Sequence, residues 1–262
     1  MEKRETSAVL GQVGSRGAHA LVSEIDAKFV DTGGCIRVMS WIQAAEEQVL
    51  EECPPVREFA VRPGRRIAPG WWWSATTGGL VHYGFGAMRT QVILLDHDPS
   101  VVALACSPVE LSWVGRGGHE VRHVPHLMAR LRDGSAVLVD CAGRDGISRR
   151  LASRGRVAEA AAQSVGWHYR VVGAPDPVVA ANVRWLAGYR HPRHSSLLAA
   201  EAVEGAFARS RPLVEGVREL GEAMTAWPAV FHALWHGQLS APLRTPLHER
   251  TIAVAAGVGA PA

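Results

Sequence analysis

The stretch Val124–Ala142, VPHLMARLRDGSAVLVDCA, decides how this sequence folds. Two β-rich runs flank Arg132-Asp133-Gly134-Ser135, a cluster of turn-forming residues, so His119 to Ala142 reads as a hairpin. A three-residue turn at Arg132 to Gly134, with Gly134 in the left-handed conformation of a bulge, pairs position 126 with position 140 on one face of the sheet. A two-residue turn would put them on opposite faces. Asp140 ends a run that looks like a central strand, where an unpaired carboxylate is costly to bury. Its two readings are a salt bridge, to an arginine from elsewhere in the sheet, and a metal ligand.

On the N-terminal side, KFVDTGGCIRVM places two short strands around Asp31 to Gly34, and WIQAAEEQVLEEC reads as a helix stopped by Pro54 and Pro55. Residues 62–80 form a Gly- and Pro-punctuated loop without a period. From Tyr83 a helical pattern runs to Asp98-Pro99, followed by strands at Val101 to Cys106 and Val109 to Trp113. After the hairpin come a helix at 148–165 and a strand from Trp167 to Val172. Asp176-Pro177 supplies an N-cap and first-turn proline for a helix ending near Tyr189. Helix, three antiparallel strands, helix, strand and helix is an α/β order with a mixed sheet. Beyond HPRH, helices at 195–207, 213–221 and 227–236 precede short runs at Gln238 to Leu243 and Thr251 to Val254, a winged-helix pattern. The expected division is a leader at 1–25, an α/β domain at 26–190 and a winged-helix-like domain at 191–262.

At 262 residues, 47% hydrophobic and 20% charged, the chain is too apolar for disorder and too charged for a membrane bundle. No stretch approaches 18 uninterrupted apolar residues and the N-terminus lacks a signal-peptide core, so a cytoplasmic protein is expected. The four cysteines show no CxxC pair and suggest neither a zinc ribbon nor a disulfide framework. A net charge of +3 permits nucleic-acid contact without demanding it. No phosphate loop, Ser/His/Asp triad or Cys/His pair has usable spacing, which excludes nucleotide hydrolysis and acyl transfer as expectations. Nine Trp against five Phe and three Tyr is an unusual order, and alternate-face burial cannot place all of Trp71, Trp72 and Trp73 in a core.

Six motifs in order carry a resemblance: PGWWWSATTG (69–78), LLDHDPSVV (94–102), LSW (111–113), RHVP with DGSAVLVD (122–140), VGWHYRVVG (165–173) and ANVRWLAGYRHPR (181–193). Residues 57 to about 194 resemble the TnsA-like family of transposon endonuclease subunits, in the form common in high-GC actinobacteria. The resemblance implies a restriction-endonuclease-like fold of the PD-(D/E)xK type, followed here by a C-terminal winged-helix module. It implies that the protein nicks one DNA strand at each transposon end, with Mg²⁺ or Mn²⁺ as cofactor. The implied partners are double-stranded DNA, a DDE transposase subunit and an AAA+ regulator.

The family's helix Glu falls on Gly84, the Asp after Pro on His126, the strand acid on Asp140 and the basic position on Ala142. Asp140 and His126 are therefore the candidate metal ligands, but one carboxylate with a neutral imidazole holds Mg²⁺ poorly. Gly84 cannot ligate and Ala142 cannot orient water. A catalytically impaired subunit that keeps its DNA- and partner-binding shell is the expectation, and otherwise no cofactor. The alternatives are an active endonuclease to which Glu110, Glu120 or Asp98 has migrated, and a domesticated interaction or regulatory protein.

His119, His123 and His126 invite a metal site, yet on one strand His119 and His123 face one way and His126 the other. Arg62, Arg65, Arg66, Arg89, Arg144, Arg149, Arg150, Arg190 and Arg193 are candidates for a phosphate-binding face. In the C-terminal module Trp227-Pro228 would open a recognition helix, with Arg244, His248 and Arg250 in or beside the wing; a small protein-docking domain is the competing reading. Trp113, Trp167 and Trp185 are expected in the core. The PGWWWSATTG loop either covers the active-site end of the sheet and stacks on DNA, or is wedged by Trp72 into the core.

Overall fold

The computed structural model describes residues 24–57, 59, 69–115, 117–143, 145–195, 198 and 200–256. The leader expected at 1–25 lies almost wholly outside them, as do Arg62, Arg65, Arg66 and Arg144. In chain order come β1 (Asp26–Val30), β2 (Ile36–Ser40), α1 (Trp41–Glu47), β3 (Gly70–Trp73), β4 (Leu80–Tyr83) and α2 (Gly86–His97). Next are β5 (Val101–Cys106), β6 (Val109–Val114), β7 (Glu120–His123), β8 (Leu127–Leu131), β9 (Ala136–Cys141), α3 (Arg149–Ser164) and β10 (His168–Val172). The C-terminal part holds α4 (Pro177–Leu186), α5 (Ala200–Ala206), β11 (Arg211–Pro212), α6 (Leu213–Leu220), α7 (Ala223–Trp235), β12 (Leu239–Ser240) and β13 (Ile252–Ala255).

The β8–β9 hairpin forms as its turn residues dictate. Gly134 sits at φ +87°, Gly134 N–H donates to Leu131 O and Leu131 N–H to Ser135 O. Leu127 lies opposite Val139, a register that carries on to set 126 opposite 140. β5 pairs antiparallel with β8, and β10 parallel with β9 after the α3 crossover, giving a mixed sheet in the order β10-β9-β8-β5. Every residue of β9 is buried because the sheet is covered on both faces. Leu127, Val137 and Val139 meet α2 and the C-terminal elements, whereas Met128 and Leu138 meet α3, Phe29, Trp41 and Trp167. Each such side chain contributes about 1.5–3 kcal/mol by leaving water.

The strand at 109–113 does not join the mixed sheet. β6 belongs to a second, antiparallel sheet in the order β2-β1-β6-β7. Ser107, at φ +46°, makes the transfer, and the chain returns to the first sheet through Val124-Pro125. The C-terminal strands form a small sheet in the order β11-β13-β12 beside α5, α6 and α7. This part shares a continuous core with α2 and the mixed sheet, and Asn182 of α4 stitches it in place. The Asn182 amide donates to Leu243 O at 2.9 Å and Thr245 O at 2.7 Å and accepts from Leu247 N–H at 3.0 Å.

Several boundaries depart from the sequence expectations. The helix expected through Cys53 stops at Glu47, with a separate turn at Leu50–Glu52, because consecutive glutamates without a basic residue oppose the negative end of the helix dipole. Residues 70–83 form the β3–β4 hairpin where a loop and the start of a helix were expected. Its tip wraps the buried Asp96 carboxylate, which accepts from Trp72 Nε1 (2.7 Å), Ser74 Oγ (2.6 Å), Ala75 N (3.2 Å) and Thr76 N (3.0 Å). Trp72 therefore is wedged into the core, while Trp71 stays 60% exposed and stacks on His82. Pro228 lies inside α7, which begins at Ala223, so Trp227-Pro228 does not open the helix. Trp113 and Trp167 are buried as expected; Trp185 is not, being 58% exposed against Phe231 and Tyr189. Among the described residues, no helix is long and apolar enough to cross a membrane.

Candidate functional site

Asp140 sits near the end of β9, fully buried, on the face that carries Leu138. Three side chains from three other places converge on it. His123 comes from β7 of the second sheet, and its Nε2 lies 2.7 Å from Asp140 Oδ2. Tyr169 comes from β10 and donates its hydroxyl to the same oxygen at 2.7 Å. Its approach explains a glycine in the middle of α3: a Cβ at Gly155 would stand 2.7 Å from the Tyr169 hydroxyl oxygen. His126 completes the set, with Nδ1 2.8 Å from Asp140 Oδ1.

Ser107 anchors His126. Its backbone N–H and its hydroxyl both donate to His126 O, at 3.0 and 3.3 Å. The left-handed backbone of a non-glycine residue is an uncommon, costly conformation, and here it buys the two bonds that fix His126 at the mouth of the mixed sheet. The imidazole packs edge-on against Phe85, ring centroids 5.2 Å apart. Its Nδ1 accepts the Cys141 N–H at 3.0 Å, so in the neutral ring the proton resides on Nε2. Asp140 Oδ1, facing that occupied lone pair, is left buried without a donor.

Burial opposes ionisation of Asp140, but the bonds from His123 and Tyr169 outweigh it and hold the carboxyl well below the usual range. Burial and the Asp140 charge push the Tyr169 hydroxyl well above its ordinary value, so it remains a donor. Burial, with Asp140 alongside, pushes the Cys141 thiol up to about 12, which removes it as a nucleophile.

These side chains open on a cleft of about 670 Å³ between the two sheets and the start of α3. Arg57, Arg122, Arg150 and Arg154 line it, together with the acids Glu110 and Asp145. Glu110 is thus the one alternative acid that reaches the cleft, where Lys28 faces it at 3.9 Å. Glu120 pairs with Arg122 on the surface, and Asp98 caps its own turn through Ser100.

The positions implied by the resemblance separate into two groups. His126 and Asp140 are brought together. Gly84 is buried one residue before Phe85, and a Cβ there would stand 2.3 Å from the Phe59 ring, so no acid fits. Ala142 is buried and donates its N–H to Val172 O at 2.8 Å. Mg²⁺ and Mn²⁺ require several oxygen ligands, and this donor set does not fit them: the single carboxylate has one oxygen already accepting two bonds. Among the described residues, no group of three or more His, Cys, Asp or Glu is placed to hold a metal ion. The salt bridge to an arginine expected for Asp140 is replaced by two histidines and a tyrosine.

Spacing on a single strand misassigned His123. The chain leaves β7 at Val124-Pro125, where proline has no N–H for a ladder, so alternation does not extend from 123 to 126 and both rings reach Asp140. His119 is exposed and apart. Of the other arginines, Arg190 is committed to structure: it lies over Trp72 at 3.8 Å and donates to Trp73 O and Ala187 O. Arg89 is exposed on α2, Arg193 is exposed beside His194, and Arg244 and Arg250 are exposed between β12 and β13. No protein-family model matches the chain, and no curated protein matches it.

Proposed function

We propose that this chain is a TnsA-like, nuclease-fold subunit of a DNA transposition system that binds DNA and partner transposition proteins and has lost metal-dependent cleavage. The observation that carries this reading is the register that sets position 126 opposite Asp140 at the mouth of an arginine-lined cleft, with no other acid among the described residues on that carboxylate. Helix α2, the antiparallel strands β5, β8 and β9, helix α3 and the parallel strand β10 follow the order of a restriction-endonuclease-like core. The C-terminal order of helix, strand, two helices and two strands, with β13 between β11 and β12, supports a winged helix.

The same module favours protein partners on one side. Helix α7, in the place of a recognition helix, carries no Lys or Arg; it exposes Met224 and half-buries Trp227 and Phe231 next to the exposed Trp185. An aromatic surface of this kind suits a protein contact better than a phosphate backbone. DNA contact then falls to the cleft and to the segment with Arg244 and Arg250.

The test is a titration of fluorescent duplex DNA at rising salt. Binding whose log affinity falls linearly with log salt supports the reading, and absence of binding at low salt overturns its DNA half.

A further inference from the structure

Arg150 and Arg154 stand one turn apart on α3, and both line the cleft with His126. Among the described residues neither makes an ion pair with a carboxylate. Burial, and then the charge of Arg150, disfavour the charged form of Arg154. The first turn of this helix holds Arg149 and Arg150 and no acid, although cations at the positive end of a helix dipole are destabilising. Two guanidinium groups one turn apart, with no carboxylate pairing either among the described residues, would be relieved by an anion between them and the cleft floor.

That floor supplies one more donor. With Nδ1 accepting the Cys141 N–H, His126 directs Nε2–H away from the carboxylate, and the side chain is 19% exposed. Such a ring donates without needing a positive charge of its own. Phosphodiesters are recognised by donors of this kind together with arginine forks.

We propose that His126 Nε2, Arg150 and Arg154 bind a backbone phosphate of DNA in this cleft without a divalent cation. The proposal rests on the DNA-binding reading above and names the contact that serves it.

The experiment measures anisotropy of a fluorescein-labelled DNA duplex with the full chain in EDTA. His126→Asn keeps an acceptor for the Cys141 N–H and deletes Nε2, whereas His126→Gln restores a donor near the Nε2 position. The expected result is binding in EDTA by the parent protein and by His126→Gln, with His126→Asn weaker by about tenfold, roughly the loss of one charge-assisted hydrogen bond. Arg150→Gln and Arg154→Gln, both at the protein surface, are each expected to lower the slope of log affinity against log salt by about 0.9. Melting curves confirm that each variant is folded. Binding that requires Mg²⁺, or binding in EDTA that none of these substitutions alters, overturns the metal-free phosphate site while leaving DNA binding standing. No binding by the parent protein with or without Mg²⁺ overturns the DNA reading itself.

Discussion

Replacing Asp140 by Asn and by Ala separates a hydrogen-bond hub from a metal ligand. In Asp140→Ala, His123 Nε2 and the Tyr169 hydroxyl lose the oxygen they share at 2.7 Å each. Two buried donors left unpaired cost about 1–3 kcal/mol apiece, so the variant is expected to lose roughly 2–6 kcal/mol. In Asp140→Asn the amide oxygen takes the place of Oδ2 and accepts both bonds. The amide nitrogen takes the place of Oδ1, 2.8 Å from His126 Nδ1, and removes the contact between that lone pair and a carboxylate oxygen. The charge is lost as well, and with it the net stabilisation the ionised carboxylate draws from these bonds. Asp140→Asn is therefore expected to be less stable than the parent at pH 8 by about 2 kcal/mol, the difference between two charge-assisted and two neutral hydrogen bonds, and more stable than Asp140→Ala, which leaves both donors unpaired. Urea unfolding followed by tryptophan fluorescence measures both, with a constant m-value as the control. The variants also differ in acid. Because the folded carboxyl titrates below its unfolded value of about 3.9, the parent's advantage is full above that value and fades as the pH falls toward the folded one. Asp140→Asn lacks that part of the acid dependence. An Asn variant as unstable as the Ala variant at pH 8 refutes this account of the site.

Gly84→Glu, which reinstates the helix acid of the resembling family, is expected to drive its side chain into the Phe59 ring. It should lower stability by about 1–3 kcal/mol, with no gain of plasmid nicking in Mg²⁺; a stable variant that nicks contradicts it. Asp96→Ala removes the acceptor of four donors at the β3–β4 tip and is expected to cost at least roughly 3 kcal/mol in urea and to expose Trp72 to iodide quenching. A loss below 1 kcal/mol on the scale of one ordinary hydrogen bond counts against the Asp96 hub. His97, whose pKa burial pushes down, favours its neutral form in the folded chain, so stability should fall as the pH drops through the unfolded value of about 6.5. The difference in melting temperature between pH 8 and pH 5.5 is expected to shrink in His97→Gln, and an unchanged difference excludes His97 as a source.

The hairpin at the centre of the molecule was legible because turn chemistry and two-residue alternation agree at Arg132 to Gly134, and a register needs nothing more. The convergence on Asp140 was not. His123 reaches it from another sheet, and Tyr169 from a strand that pairs in parallel only after the α3 crossover, contacts that local spacing does not encode. A proline in the linking segment was the available signal that a single-strand count of histidines fails. The β3–β4 hairpin escaped notice because four-residue strands rich in tryptophan have no clear period, and the group that organises their turn, Asp96, lies more than twenty residues further along. Pro228 misled in the opposite direction. Inside α7 it forgoes one hydrogen bond to the carbonyl of Met224, a residue 82% exposed, so the freed acceptor lies on an exposed turn rather than in the core.

The loss of cleavage with retention of DNA binding is tested most directly by one agarose gel of supercoiled plasmid incubated with the purified chain and Mg²⁺ or Mn²⁺. A retarded plasmid that returns wholly supercoiled after deproteinisation is the expected result. Nicked plasmid that appears with the parent chain and disappears in Asp140→Ala contradicts it.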